Sequence, residues 1–313
     1  MPVISSSFRA PFWIRNAHAQ TIWATVTQRY PALETRREEL ILSDGDFIDL
    51  DWAGPESGPI TIILHGLEGS IDSPYARGIM QRFSTLGRRT VLLHFRGCSG
   101  RPNRAQRAYH SGETEDLAEV VRHIQTSQPN APISLVGYSL GGNVVLKWLG
   151  TDPLAKTVEA AAAVSVPFDL DRCATRLNTG LSRIYQRRFL ETLHAKFREK
   201  NPEQCLDDHL TLRQWDDAVT APLHGFKDAA EYYRQSSCAQ YLSSITCPTL
   251  IIHAKDDPFM TADTIPDDTA LSATVSLEMS DHGGHVGFVQ GSPWKPTFYL
   301  ESRIPTFILS HSR

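Results

Sequence analysis

The sequence has few cysteines, and their spacing suggests neither a disulfide framework nor a metal site. Five cysteines occur in 313 residues, an odd number, and no two of them form a C-x-x-C pair. Closely paired cysteines are typical of small secreted domains and of zinc sites, so neither class is indicated. The amino terminus, MPVISSSFRAPFWIRN, also lacks the charged start and apolar run of a secretory signal. We therefore expect reduced thiols and a cytoplasmic location.

Long hydrophobic runs and an excess of positive charge are absent as well. The apolar segment Pro132–Leu146 has 15 residues and is interrupted by glycines, serines and an asparagine, whereas a membrane span needs about 20 apolar residues. The chain carries 31 Lys and Arg against 35 Asp and Glu, a net charge of −4, so it has no basic field to attract a polyanion. We predict no transmembrane segment and no nucleic-acid partner, and the sequence leaves the oligomeric state open.

Short strands that alternate with helices predict an α/β fold. Four apolar runs rich in β-branched residues end in glycine, proline or polar residues: Ile60–Leu64, Thr90–His94, Ile133–Val136 and Thr249–His253. Segments with a period of 3.6 lie between them, Glu113–Thr126 among them. This order is typical of a mostly parallel sheet with helices on both faces, in which ligands bind beyond the carboxyl ends of the strands.

A hairpin is predicted before these strands. Glu38–Leu42 and Phe47–Trp52 flank a turn, S-D-G-D, and in the second run Asp49 and Asp51 alternate with apolar residues. Alternation of this kind predicts a strand with one face in water. We therefore expect both carboxylates to be exposed.

One long segment does not follow the strand and helix alternation. Residues 168–237 are rich in charge and show helical periodicity at Leu181, Tyr185, Phe189, Leu193 and Phe197. We predict that they form an inserted helical cap between two parts of one core, residues 1–167 and 238–313, because long insertions are often functional. The alternative is a set of extra helices that pad the core and have no part in binding. The apolar stripe with its neighbouring arginines could line an acyl tunnel or rest on lipid heads, although such stripes more often belong to a core.

The candidate nucleophile is Ser139. Gly137-Tyr138-Ser139-Leu140-Gly141 matches G-x-S-x-G between a strand and a helix, which is the context of a nucleophile elbow. The flanking glycines allow a tight turn, and the helix that begins there directs free amides and a positive dipole end towards a developing anion.

A serine nucleophile requires a base and an acid, which in this fold follow it in the order acid, then histidine. Asp256 and Asp257 follow the run Thr249–His253, and the small-x-x-Asp spacing from Ala254 favours Asp257, with Asp256 kept as the alternative. The segment D-H-G-G-H-V-G-F at 281–288 offers His285 as the base and His282 as the reserve. A zinc site at these two histidines is disfavoured because no further ligands stand at recognised spacings.

The tetrahedral intermediate also requires hydrogen-bond donors for its oxyanion. The backbone N–H of Leu140 follows the nucleophile, and His65-Gly66-Leu67 at the end of another strand matches the H-G-x type of second donor. We predict that the amides of Leu67 and Leu140 form the oxyanion hole, and that neither a metal nor a cofactor is required.

The motifs resemble those of the YheT-type branch of the α/β-hydrolase superfamily, a group of esterases and lipases. In order, they are H-G-L-E-G (65–69), G-Y-S-L-G-G (137–142), A-K-D-D-P-F (254–259) and H-G-G-H-V-G-F (282–288), with N-A-H-A-Q-T-I (16–22), H-F-R-G-C-S-G (94–100) and Y-H-S-G-E-T (109–114) typical of the branch. The resemblance implies an α/β-hydrolase fold with Ser139 as nucleophile, Asp257 as acid and His285 as base. Ala17 and Ala19 depart from the larger residues that are common in the first of the three branch motifs.

The combined interpretation is a serine hydrolase of the carboxylesterase or lipase type. We expect it to act through an acyl-enzyme on a small-molecule ester with a short or medium acyl group, and the resemblance favours lipid esters. Amide and thioester cleavage remain open because the three residues do not define the leaving group. The alternatives are an acyltransferase of the same fold and a binding protein that has lost turnover. Arg96, His110 and Glu113 are interpreted as scaffold rather than substrate contacts, and Cys98 as a bystander thiol.

Overall fold

A nine-stranded sheet forms the centre of the molecule. The computed structural model describes residues 2–28, 30, 33–204 and 206–312. The strands of the sheet in chain order are β1 Val3–Ser5, β2 Arg36–Ile41, β3 Phe47–Ala53, β4 Ile60–Leu64, β5 Arg89–Leu93, β6 Ile133–Tyr138, β7 Val158–Val164, β8 Thr249–Ala254 and β9 Val275–Ser280. Their spatial order is β1-β9-β8-β7-β6-β4-β5-β3-β2. Only β3 runs antiparallel to its neighbours, β2 and β5, so the predicted mostly parallel sheet is confirmed.

Helices cover both faces of this sheet, as expected. The helices in chain order are α1 Ala17–Thr27, α2 Pro74–Thr85, α3 Glu115–Ser127, α4 Leu140–Thr151, α5 Leu170–Leu177, α6 Arg183–Lys200, α7 Leu212–Trp215, α8 Ala221–Leu223, α9 Ala229–Ser236 and α10 Tyr299–His311. Apolar side chains of α3 and α4 pack in one core cluster, and those of α2 and α10 pack in a second. The two clusters contain alternate residues of the same strands, because successive side chains point to opposite faces. A two-stranded ribbon of β10 Val289–Ser292 and β11 Lys295–Phe298 precedes α10.

The central strand β7 consists mainly of alanine, and its pattern did not predict a strand. It pairs with β6 on one side and β8 on the other, and Ala160–Ala163 are fully buried. Alanine favours helices in isolation, but here the small side chains leave room for α4 to approach the sheet. A Cβ added to Gly142 of α4 would lie 3.6 Å from the Cβ of Ala163. Close packing of helix on sheet therefore overrides the local propensity.

The expectation that β3 has one face in water is wrong. Asp49 and Asp51 are each only 1% exposed. Asp51 accepts hydrogen bonds from Arg37 at 2.8 Å and from His94 Nε2 at 2.7 Å, and Asp49 accepts from Arg101. Burial alone would raise the pKa of Asp51, but the hydrogen bonds from Arg37 and His94 lower it well below its usual value. The alternating pattern is thus produced by buried ion pairs, which a single sequence does not distinguish from a wet face.

In the described part of the segment between β7 and β8 lie the helices α5 to α9. A π-helical turn, Asp216–Thr220, joins α7 to α8. The segment has apolar clusters of its own, of which one joins α5 to α9 and another joins α6 to α7. None of the described helices is both long enough and apolar enough to cross a bilayer. Among the described cysteines Cys98, Cys173, Cys238 and Cys247 are free thiols, and Cys205 lies outside the described residues.

Candidate active site

Ser139 occupies a sharp turn between β6 and α4. Its backbone has φ 52° and ψ −118°, a conformation that is strained for a residue with a Cβ. Neither of the flanking glycines has a positive φ, so they are not required for their backbone conformation. They are required because a side chain at either position would collide with a neighbouring backbone. A Cβ on Gly137 would lie 2.4 Å from Gly141 O, and one on Gly141 would lie 2.5 Å from His65 O. The glycines therefore permit the strand, the helix and the loop after β4 to meet, while the serine itself carries the strain.

A chain of hydrogen bonds joins Ser139 to His285 and Asp257. His285 Nε2 lies 2.9 Å from Ser139 Oγ, and His285 Nδ1 lies 2.9 Å from Asp257 Oδ2. Asp257 is 4% exposed and His285 is 8% exposed. The ring of Phe259 stacks on the imidazole, with centroids 3.9 Å apart and planes inclined by 15°, and Phe259 N donates to Asp257 Oδ1 at 2.9 Å. The structure thus brings together the three residues named from the sequence motifs.

The neighbouring Asp256 has a different set of partners. Its Oδ1 accepts from Gly284 N at 3.0 Å, and its Oδ2 lies 3.3 Å from His282 Nδ1. Burial raises the pKa of Asp256, partly opposed by these two contacts. The side chain of His282 is 45% exposed, so the reserve histidine faces the surface and contacts the reserve acid. The pair Asp256–His282 is therefore separate from the pair Asp257–His285 in the structure, although the two aspartates are adjacent in the chain.

The backbone N–H groups of Leu67 and Leu140 are among those near Ser139 that have no acceptor in the described part of the chain. Leu140 is the first residue of α4, where N–H groups have no partner within the helix. The N–H groups on either side of Leu67 are occupied, since Gly66 N donates to Tyr75 Oη and Glu68 N donates to Tyr109 Oη.

The loop that carries Leu67 lies against the serine turn. A Cβ on Gly66 would lie 3.3 Å from Ser139 Cβ. His65 fixes this loop, because its Nδ1 lies 2.7 Å from Gly66 O and its Nε2 accepts from Phe95 N. Burial lowers the pKa of His65 to about 3, so the ring is neutral and holds one tautomer.

Helix α1 holds the loop that carries His285. Thr21 Oγ1 accepts from His285 N at 2.9 Å. Gln20 donates from Nε2 to Val289 O at 3.0 Å and accepts from Val289 N at 2.7 Å. Cβ atoms on Gly284 or Gly287 would lie 2.4 Å from Ala17 O and 2.6 Å from Gln20 O. The N-terminal motif at residues 16–22 therefore positions the histidine loop, although the two segments are far apart in the chain.

A cleft of about 350 Å³ opens above Ser139. Its floor includes Ser139, Leu67 and His285, and its walls come from α1 and α6. The wall residues on these helices are Thr21, Ile22, Ala24, Thr25, Val26, Tyr185, Arg188, Phe189 and Thr192. Two members of the apolar stripe identified in the sequence, Tyr185 and Phe189, thus face the cleft. The cleft presents apolar walls over a polar floor, which suits a substrate with an acyl chain.

A second cavity, of about 410 Å³, adjoins this cleft and shares Glu68, Gly69 and Thr192 with it. Arg96 lines this cavity, but its guanidinium is paired with Asp116, Asp44 and Asp46. Burial alone would lower the pKa of Arg96, and these carboxylates raise it instead. The contacts are those of a scaffold.

Cys98 lies beside the same cavity. Burial raises the pKa of the Cys98 thiol to about 12, and Lys196 Nζ lies 3.2 Å from its sulfur. A thiol that is protonated at neutral pH is a poor nucleophile, as expected for a bystander.

One group of side chains in the described part of the chain has the spacing of a metal site. Single ligand atoms of His110, Glu113 and His224 lie within 4.8 Å of one another. Arg107 donates to Glu113 Oε2, however, and Gly112 N donates to His110 Nδ1 at 3.1 Å. The second contact places the proton of neutral His110 on Nε2, the atom that faces Glu113. A guanidinium and an N–H directed at this point disfavour a cation.

Comparisons with known proteins identify relatives of this chain. The family model Hydrolase_4, described as serine aminopeptidase, S33, matches residues 56–285. YheT of Escherichia coli (strain K12), provisionally named an esterase, is 42% identical over 310 residues, which cover 95% of this chain and 91% of YheT. The human phospholipase ABHD3 is 27% identical over 98% of this chain and 80% of its own. The esterase Pf2001 of Pyrococcus furiosus has a similar fold, with a TM-score of 0.61 at 19% identity over 90% of this chain and 91% of its own.

Proposed function

The chain belongs to the Hydrolase_4 family of α/β hydrolases and is a serine hydrolase of the esterase and lipase type, and from this premise we propose that it cleaves carboxylic esters through an acyl-enzyme on Ser139. The substrates that we propose carry short or medium acyl groups, lipid esters among them. The observation that carries the proposal is the continuous hydrogen-bonded chain from Ser139 Oγ through His285 to Asp257.

In the proposed reaction Ser139 Oγ attacks the ester carbonyl carbon while His285 Nε2 accepts its proton. Asp257 stabilises the imidazolium and holds Nδ1–H towards itself, so that Nε2 remains free to act as the base. The negative charge on the carbonyl oxygen is stabilised by the N–H groups of Leu67 and Leu140, each typically worth about 3 kcal/mol in the transition state. The intermediate then expels the alcohol, which takes the proton from His285. Water repeats the sequence to release the acid and restore Ser139.

We propose that residues 168–237 act as a cap over the acyl group, with residues 1–167 and 238–313 as the core. Support comes from Tyr185 and Phe189 of α6, which line the cleft. Tyr185 also joins the cap to α1, because His18 Nδ1 lies 3.1 Å from its hydroxyl and the two rings stack. In this role α6 places an apolar wall beside the nucleophile and limits the entry of water.

The proposal is tested with p-nitrophenyl butyrate and a fluorophosphonate probe. We expect hydrolysis and labelling of the wild-type protein, with the modified peptide containing Ser139, and loss of both in Ser139→Ala. Equal rates for the two proteins would overturn the assignment. Release of free acid without an added alcohol separates hydrolysis from acyl transfer, and comparison with the matching p-nitroanilide separates ester from amide cleavage.

A further inference from the structure

Several long stretches of the chain contain no acidic residue, residues 73–112 and 120–151 among them, and three others lie next to one another at the surface. Residues 1–33 contain three arginines, residues 172–190 contain five, and residues 282–300 contain one lysine, and none of the three stretches contains Asp or Glu. All 35 acidic residues lie in the remainder of the chain, together with 22 of the 31 basic ones. Although the protein has a net charge of −4, these three regions, which are far apart in sequence, each have a net positive charge.

The same three stretches carry most of the large apolar side chains that the described structure exposes. Phe12 is 86% exposed and Trp294 is 93% exposed. Ile22 and Val26 on α1 are 51% and 59% exposed. Leu181, in the turn before the cap helix α6, is 63% exposed, and Ile184, in the first turn of α6, is 67% exposed. Single exposed apolar residues are ordinary, but six of them on three acid-free stretches indicate a surface that meets something apolar.

Contacts between the stretches join them into one face. The ring of Trp13 packs on Trp23 of α1 with centroids 5.2 Å apart, and Trp13 Nε1 donates to Gly291 O in the β10–β11 ribbon. Trp294 lies at the turn of that ribbon, between β10 and β11. On the other side, α1 reaches α6 through the contact of His18 with Tyr185.

The cleft opens within this face. Ile22 and Val26 of α1 and Arg188 of α6 belong both to the acid-free stretches and to the lining of the cleft. An apolar substrate that leaves a layer in contact with this face would therefore reach Ser139 without crossing bulk water.

We propose that this face, formed by residues 12–26, 181–188 and 292–295 and called the docking face below, binds the surface of a lipid bilayer that contains anionic headgroups. Aliphatic and aromatic side chains beside arginines and a lysine are typical of segments that lie in the interface of a membrane, where indole rings are also enriched. The docking face itself contributes no carboxylate that would be repelled by lipid phosphates, and the nearby Glu191 on α6 is paired with Arg187. The use of this face for substrate delivery rests on the proposed esterase function, whereas the binding itself does not.

The first experiment measures co-sedimentation of the full chain with vesicles of phosphatidylcholine, with and without phosphatidylglycerol. We expect binding that requires phosphatidylglycerol and weakens with salt, because the attraction is screened. Ile184→Glu should reduce the bound fraction about tenfold or more, since it removes an aliphatic group that would enter the bilayer and adds a charge that the anionic headgroups repel. The matched control is Ile41→Glu, on the edge strand β2, because Ile41 is 51% exposed and lies outside the docking face.

Charge is tested separately from apolar contact. Arg183→Gln should weaken binding about fivefold and lower its salt dependence, while Arg122→Gln, an exposed arginine on α3, should leave both unchanged. Failure of the wild-type protein to bind anionic vesicles would overturn the proposal. Equal losses of vesicle binding for Ile184→Glu and Ile41→Glu would also overturn it. The same holds if size exclusion shows a wild-type dimer and Ile184→Glu loses vesicle binding because this dimer dissociates.

Hydrolysis of a water-soluble ester distinguishes this proposal from the proposed function. Ile184→Glu should hydrolyse p-nitrophenyl acetate at the wild-type rate while it loses activity on an ester embedded in anionic vesicles. Vesicle binding by a wild-type protein that hydrolyses neither ester would leave the docking face in place and overturn the esterase. Normal hydrolysis of the soluble ester with no vesicle binding would overturn the docking face and leave the esterase in place.

Discussion

The floor of the cleft and its outer walls are built differently. On the floor, His285 and Asp257 are nearly buried, and hydrogen bonds from distant elements fix the loops around Ser139. The walls on α1 and α6 include exposed apolar side chains, and the side chain of Arg188 on α6 makes no hydrogen bond or ion pair in the described structure. Groups that are rigidly oriented suit a reaction that depends on geometry, whereas exposed apolar walls suit contact with substrates of variable shape. The cleft therefore combines a preorganised floor with an adaptable entrance.

The largest expected effect separates the two adjacent aspartates of the floor. Asp257→Asn should lower kcat/KM for p-nitrophenyl butyrate by about four powers of ten, because an amide at this position favours the wrong tautomer of His285. Asp256→Asn should lower it less than about tenfold, since its partners are Gly284 N and His282. The reverse order would assign the acid to Asp256. Unfolding measured in parallel for both variants shows whether either loss comes from the fold.

A smaller effect is expected where α1 holds the floor. Thr21→Val removes the acceptor for His285 N and leaves a buried donor without a partner, at a cost of about 1–3 kcal/mol. We expect kcat for the soluble ester to fall about tenfold with little change in KM, because the histidine is displaced while valine, which is close to threonine in shape, keeps the wall of the cleft. Thr21→Ser keeps the hydroxyl and should restore kcat. A fall in both variants, or a change in KM alone, would contradict a positioning role.

The remaining prediction concerns stability against acid instead of the rate of hydrolysis. Burial lowers the pKa of His253 to about 4, and its ring nitrogens have no hydrogen-bond partner in the described structure. The unfolded chain takes up this proton near pH 6.5, so the folded state loses stability as the pH falls from 6.5 towards 4, by about 2 kcal/mol at pH 5 relative to pH 8. His253→Leu should flatten the dependence of Tm on pH in this range. An unchanged slope would show that other groups dominate the acid transition.

The strand ends and their motifs could be predicted from the sequence, because G-x-S-x-G, the His-Gly turn and the acid after a strand are local patterns. The confirmed fold follows from the same alternation of strands and helices. The catalytic roles of Ser139, Asp257 and His285 stay a prediction, although the structure places them in contact. The spacing from Ala254 could favour Asp257 over Asp256 but could not decide between them. The packing of Phe259 and the path of the histidine loop determine which histidine each aspartate contacts, and neither can be read from the sequence.

The features that the sequence did not predict depend on contacts between distant parts of the chain. Thr21 and His285 are 264 positions apart, and no spacing rule connects them. The buried aspartates of β3 depend on Arg37, His94 and Arg101, which pair with them only in the folded state. Strand β7 depends on the helix packed against its alanines. In each case a tertiary contact overrides or completes the local pattern.

The hydrogen bond from His285 to Thr21 has a consequence for the size of the functional unit. The family match begins at residue 56, whereas the helix that supports the histidine loop ends at residue 27. A fragment trimmed to the matched region would retain Ser139, Asp257 and His285 but lose the support of the histidine loop. We therefore expect the functional unit to extend beyond the region by which the family is recognised, so that deletions or fusions that disturb helix α1 lower the rate of the proposed reaction.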